Sequence, residues 1–156
     1  MADIQVASAA ATDSPRSLND GQWCVWTNTT TGYIFYVNSS DDLVFLKSTD
    51  SGATWGSGQT VRTGTVIAFA VWYDQWTPGN SGTKIRVAYI ESGDDDVFYR
   101  DLQTATDTLG TDTTVVALST ASALGGPRIT ITVARSGVVY VGGTIDGGAE
   151  EFFESS

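Results

Sequence analysis

The chain has 156 residues, of which 17 are glycine, 41% are hydrophobic and only 17% are charged; this is one domain's length, with a strand-and-turn composition rather than a helical or disordered one. Lys and Arg number 8 against 18 Asp and Glu, a net charge of −10 that repels phosphate backbones and anionic membrane surfaces, so nucleic acid is not an expected partner. With no histidine and a single cysteine, Cys24, there is no basis for a Cys/His zinc site, a Ser-His-Asp triad or an intrachain disulfide, and no cofactor is expected.

At the N-terminus, residues 1–12 lack a basic n-region and a long apolar h-region, so they do not read as a signal peptide. No window approaches the ~18 apolar residues of a membrane span, and membrane insertion is not expected. The expectation is synthesis in the cytoplasm, with a virion or extracellular surface reached only after assembly. Ile4 to Ser8 is a short candidate strand. Trp23 to Thr27, Tyr33 to Val37, Leu43 to Ser48 and Gln59 to Arg62 then follow as β-branched and aromatic runs bounded by turn residues. Cys24, between Trp23 and Val25, reads as a buried small hydrophobe. Asn28 and Asn38 each begin a glycosylation sequon, but without a secretion signal they read as ordinary turn residues.

The next strands are Val66 to Tyr73, Lys84 to Ile90, Val97 to Leu102 and Thr113 to Leu118. Between the first two lies Trp72-Tyr73-Asp74-Gln75-Trp76-Thr77-Pro78-Gly79-Asn80, an aromatic hairpin tip. Its rings suit stacking on sugars or anchoring an interface, so Trp72, Tyr73 and Trp76 are the candidate binding residues. Asp94-Asp95-Asp96 with Glu91, and Asp41-Asp42, place oxygen ligands at hairpin tips. They lack EF-hand spacing, read as solvated turn carboxylates, and give no metal site. Ile129 to Ala134, Val138 to Gly142 and Glu150 to Glu154 complete the strands.

These strands repeat. Phe45, Phe98 and Phe152 fall at matching places 53 and 54 residues apart, and Val6, Val61 and Val115 at spacings of 55 and 54. Four strands per repeat stacked as radial sheets give an all-β fold, a partial β-propeller of about three four-stranded antiparallel blades. The whole chain, 1–156, is one segment: 1–8 a strand available for ring closure, 16–62 the first blade, 63–118 the second, and 119–156 an incomplete third. Three blades leave end faces uncovered, so either two chains complete a ring or the chain belongs to a longer polypeptide.

Ser48-Thr49-Asp50-Ser51-Gly52-Ala53-Thr54-Trp55 fits S-x-D-x-G-x-T-W at Ser48, Asp50, Gly52, Thr54 and Trp55. On this motif the chain resembles the Asp-box (BNR-repeat) sialidase-like β-propeller family, whose blades carry the box between the third and fourth strands. The resemblance implies a structural, peripheral role for Asp50 rather than a catalytic one. The second repeat departs from it, since Asp101 to Asp112 has no Trp after its glycine. A sialidase-like enzyme would also need an arginine cluster, a tyrosine–glutamate nucleophile pair and an aspartate acid. The Arg-Ile-Pro motif is absent, Arg16 and Arg128 instead follow proline, and of the four glutamates Glu150, Glu151 and Glu154 share one strand. The expected function is therefore a non-catalytic module for assembly or surface attachment, in a phage virion, tail-associated or bacterial surface protein, with self-association or neighbouring structural chains as partners. The alternatives are a carbohydrate-binding module and a fragment of a sialidase-like hydrolase.

Overall fold

The computed structural model describes residues 6, 23–92, 96–116, 128–145 and 149–154. The strand expected at Ile4 to Ser8, apart from Val6, lies outside the described residues, as do Arg16 and Asp94-Asp95. The described chain is all-β with antiparallel sheets; its one helical element is a single 3-10 turn, Asp74–Trp76. Sheet 1 runs in the order β1 (Cys24–Trp26), β2 (Gly32–Val37), β3 (Leu43–Ser48), β4 (Gln59–Arg62). In sheet 2, β5 (Val66–Tyr73), β6 (Lys84–Glu91) and β7 (Val97–Gln103) lie side by side, and β7 also pairs with both β8 (Thr108–Leu109) and β9 (Thr113–Val116). Sheet 3 holds β10 (Arg128–Val133), β11 (Val139–Ile145) and β12 (Ala149–Glu154).

The layering follows from which faces are apolar. β10 alternates strictly, with Ile129, Ile131 and Val133 buried and Arg128, Thr130 and Thr132 exposed, as a strand covered on one side does. β5 (VIAFAVWY) is apolar on both faces because it belongs to the middle layer. One face of sheet 2, with Phe69, Val71, Val87 and Tyr89, packs on Val25, Phe35, Leu43 and Phe45 of sheet 1. Its other face, with Ala68, Ala70, Ala88 and Ile90, packs on Ile129, Ile131, Val133, Val139 and Val141 of sheet 3. Each fully buried Val, Leu, Ile or Phe side chain contributes about 2 kcal/mol. Backbones of different sheets approach chiefly at their leading strands, β1 against β5 and β5 against β10, with β6 also close to β10.

The match assigned to Phe45 and Phe98 needs correction by one position. β3 and β4 share a bulge, with Leu43 opposite Arg62 and Val44 opposite Thr60, so Val61 is the extra residue. β7 and β9 share the same bulge, with Val97 opposite Val116 and Phe98 opposite Thr114, so Val115 is the extra residue. The bulges therefore align Val44 with Phe98 and Phe45 with Tyr99, 54 residues apart. Burial agrees: Phe45 faces sheet 2, Tyr99 packs toward sheet 3, and Phe98 points back toward sheet 1. A shift of one residue along a strand moves a side chain to the opposite face, which is why the pattern of phenylalanines misled. The side chain of Phe152 lies outside the described residues.

The expectation of four strands per repeat also needs adjustment. Sheet 2 has five strands because the connection after β7 doubles back as β8, turning at Asp107 in the left-handed region (φ 55°).

Candidate functional site

Three groups of side chains carry the chemistry of the described residues. The first is the aromatic tip. Tyr73 is buried in the core between sheets 1 and 2, and Trp76 packs against that core edge-on to Tyr73 and to Trp72, with ring centroids 6.5 and 5.6 Å away. Trp72 packs on the other core, its indole N–H donating to Thr77 Oγ1 (3.0 Å), which donates to the Val133 carbonyl in sheet 3 (2.5 Å). Asp74, only 2% exposed, accepts from Arg86 at 2.8 Å, and Arg86 in turn donates to the Tyr99 hydroxyl at 2.7 Å. Burial lowers the Arg86 guanidinium, but its bonds to Asp74 and Tyr99 more than reverse this and hold it charged. Arg135 crosses from sheet 3 to the Pro78 carbonyl. The tip is thus a strap joining sheets 2 and 3, and Trp72, Tyr73 and Trp76 spend most of their surface on packing.

The second group is the turn between β3 and β4, where Ser48, Asp50, Gly52, Thr54 and Trp55 come together. Ser48 donates to Asp50 Oδ1 (2.8 Å) and accepts from the Gly52 N–H (2.9 Å), while Asp50 accepts from the Thr54 N–H (2.8 Å) and hydroxyl (2.6 Å). The bonds from Thr54 and Ser48 hold the Asp50 carboxyl down to about 2. Ser51 (φ 61°) and Gly52 (φ 83°) both adopt the left-handed backbone that closes this turn. Trp55 stands edge-on to Trp26, a residue the sequence reading passed over, with centroids 6.2 Å apart. Trp26 alternates with buried Val25 and sits opposite Gly32 in the ladder; an outward strand position facing a glycine was the available signal.

The third group, also missed, ties sheet 1 to sheet 2. Arg62 makes a two-pronged ion pair with Glu91 (2.6 and 2.9 Å), donates to Asp112 (2.7 Å), and lies 4.8 Å from the Phe98 ring centroid. Tyr89 donates its hydroxyl to Asp112, and Arg100 donates to the Val61 and Gly110 carbonyls. Burial, then the bond to Asp112, push the Tyr89 phenol far above its ordinary value. Tyr33 is raised likewise by burial and by its bond to Asp107, which also holds Lys47 at 2.8 Å. Nothing in the sequence pairs residues 62, 91 and 112, because only the packing of sheets 1 and 2 brings them together.

The remaining candidates are local. Asn28 accepts from the Thr30 and Thr31 N–H groups, and Asn38 from those of Ser40 and Asp42, so both serve as turn residues. Asp42 accepts from the Gly64 N–H. Burial pushes the half-buried Cys24 thiol up, away from nucleophilic character. Among the described residues, no three His, Cys, Asp or Glu side chains are grouped to hold a metal ion, and no helix is long and apolar enough to cross a membrane.

No family model and no curated protein matches the chain. Two solved structures of a polysaccharide lyase, PL25 ulvan lyase, one of them bound to -[GlcA(1-4)Rha3S]-, are similar at 17% identity and a TM-score of 0.48, over 84% of this chain. The chain spans 39% of the length of those structures.

Proposed function

We propose that the chain is a non-catalytic attachment module built as consecutive blades of a β-propeller, related to the Asp-box family and working in assembly or at a virion or cell surface. The observation that carries this reading is the Arg62–Glu91–Asp112–Tyr89 network. Its residue types resemble a catalytic set, yet Arg62 reaches from sheet 1 to bond both Glu91 and Asp112 beside sheet 2, and Tyr89 donates to Asp112, so each group is held by a partner within the protein. Tyr33, Tyr73, Tyr89 and Tyr99 all have raised pKa values, burial being the main cause. A general acid or base works best with a pKa near the operating pH, and these phenols are displaced in the opposite direction. The hydrogen bonds of the Ser48–Trp55 turn support the peripheral, stapling role that the family resemblance implies for Asp50.

A carbohydrate-binding reading of the same module is favoured by the ring of Trp26, 41% exposed at the edge of a sheet in which Tyr33, Phe35 and Phe45 are buried and Tyr36 is half-buried. The test is incubation of the chain with neutral and uronate-containing polysaccharides, following new reducing ends and the ultraviolet absorbance of unsaturated products. The proposal expects neither signal. Turnover that disappears in Tyr89→Phe or Glu91→Gln would replace it with an enzyme.

A further inference from the structure

We infer that Trp26 and Trp55 form a stacking corner for carbohydrate on the turn between β3 and β4, taking the C–H face of a neutral or N-acetylated pyranose. This rests on the attachment reading above and names the ligand class for it. Trp26 ends β1 on the face of sheet 1 turned away from sheet 2, since its neighbour Val25 lies in the shared core. Its ring is seated on backbone. A Cβ at Gly32 would come within 2.8 Å of Trp26 Cε3, and one at Gly52 within 3.4 Å of Cη2. Trp55 rises beside it at an interplanar angle of 66°, giving a floor and a wall. The floor is thus fixed before any ligand arrives, which removes most of the ordering cost of binding.

The rim is made of hydroxyls. Thr29, Thr30, Ser51 and Thr54 are exposed on the two turns beside the rings. Those turns are locked together by Ser51, whose N–H donates to the Thr30 carbonyl (2.9 Å) and whose hydroxyl donates to the Thr29 carbonyl (3.1 Å). An apolar floor bordered by hydroxyls matches a sugar, which presents a patch of C–H groups ringed by hydroxyls. Three of these hydroxyls donate within the protein, Thr30 to Asn28 Oδ1 (3.1 Å), Ser51 to the Thr29 carbonyl (3.1 Å) and Thr54 to Asp50 Oδ2 (2.6 Å), so their oxygens face a ligand as acceptors for sugar hydroxyls. Charge sets the class further. Asp50, exposed in the same turn as Trp55, remains ionised down to about pH 2, and the chain as a whole carries −10. Uronate and sulfated sugars are disfavoured on both counts.

The chain labelled with fluorotryptophan gives one fluorine NMR resonance for each of its 5 tryptophans, with Trp26 assigned through Trp26→Phe and Trp55 through Trp55→Phe. The titrants are cellohexaose, chitohexaose and a galacturonate hexamer. The expected result is a saturable shift of the Trp26 and Trp55 resonances with cellohexaose or chitohexaose, none with galacturonate, and about tenfold weaker binding in Trp26→Phe. The inference is overturned if neither neutral oligosaccharide moves Trp26 at about 10 mM, a concentration that would reveal even millimolar affinity. It is also overturned if galacturonate binds as well, if the shifts are confined to Trp72 and Trp76, or if Trp26 shifts with protein concentration alone, as self-docking would cause. The shifts are read on the wild-type chain; the variants serve the assignment, which holds where the four remaining resonances of each variant keep their wild-type positions. Mass spectrometry of the same samples separates the two failures. Shortened oligosaccharides contradict the attachment reading, whereas intact ones with no Trp26 shift contradict only the sugar corner.

Discussion

Asp50 illustrates how much one exposed side chain can organise. Its carboxylate gathers the N–H and hydroxyl of Thr54 and the hydroxyl of Ser48, and these bonds hold its pKa at about 2 against an ordinary 3.8. A carboxyl whose pKa is depressed on folding stabilises the fold above the unfolded value, and that contribution is lost as pH falls through the folded value. The window is therefore from 3.8 down to about 2. Asp50→Asn is expected to lower Tm at neutral pH and to flatten its dependence on pH across that window, as checked by thermal melts in a pH series. Trp26 belongs to the same scale: Gly32 and Gly52 leave room for its ring, and alanine at Gly32 is blocked by contact with the indole.

Among the elements, the segment Trp72 to Asn80 is the one whose role shifts most between sequence and structure. Its aromatic residues suggest binding, but Thr77, Asp74 and Arg135 bind it to β6 and to sheet 3. Asp74→Ala would leave Arg86 charged and largely enclosed, with an expected cost of about 3 kcal/mol in urea unfolding. Trp76→Ala, which removes a partly buried ring, should cost about 2 kcal/mol. An unchanged melt for Trp76→Ala, coupled with lost partner binding, would restore its role as a ligand anchor. Most strands were legible because alternation and bounding turns are local properties: β3, β4 and β5 begin and end where the pattern places them. β8 was not legible, since two residues carry no period and their pairing depends on the backbone at Asp107. The Ser48–Trp55 turn was legible as a unit because its bonds span only four residues.

For the whole molecule, the central idea is that one packing step is used twice, sheet 1 onto sheet 2 and sheet 2 onto sheet 3, as blades of a propeller would do. The inter-sheet tie at Arg62 was invisible in the sequence because it joins positions 62, 91 and 112 through tertiary packing alone. Arg62→Met and Glu91→Gln should each destabilise by about 2 kcal/mol, and the double variant by clearly less than their sum, in a cycle of urea denaturation curves. The outward residues of β10 are Arg128, Thr130 and Thr132, where the corresponding face of β5 offers Ala68, Ala70 and Trp72. The repeated step is tested most directly by NOEs between assigned aromatic rings and methyl groups. The account predicts that Phe45 contacts methyls of Val71 and Val87, and that Tyr99, its counterpart one repeat later, contacts those of Ile131 and Val141. NOEs placing both rings against the same sheet would contradict it.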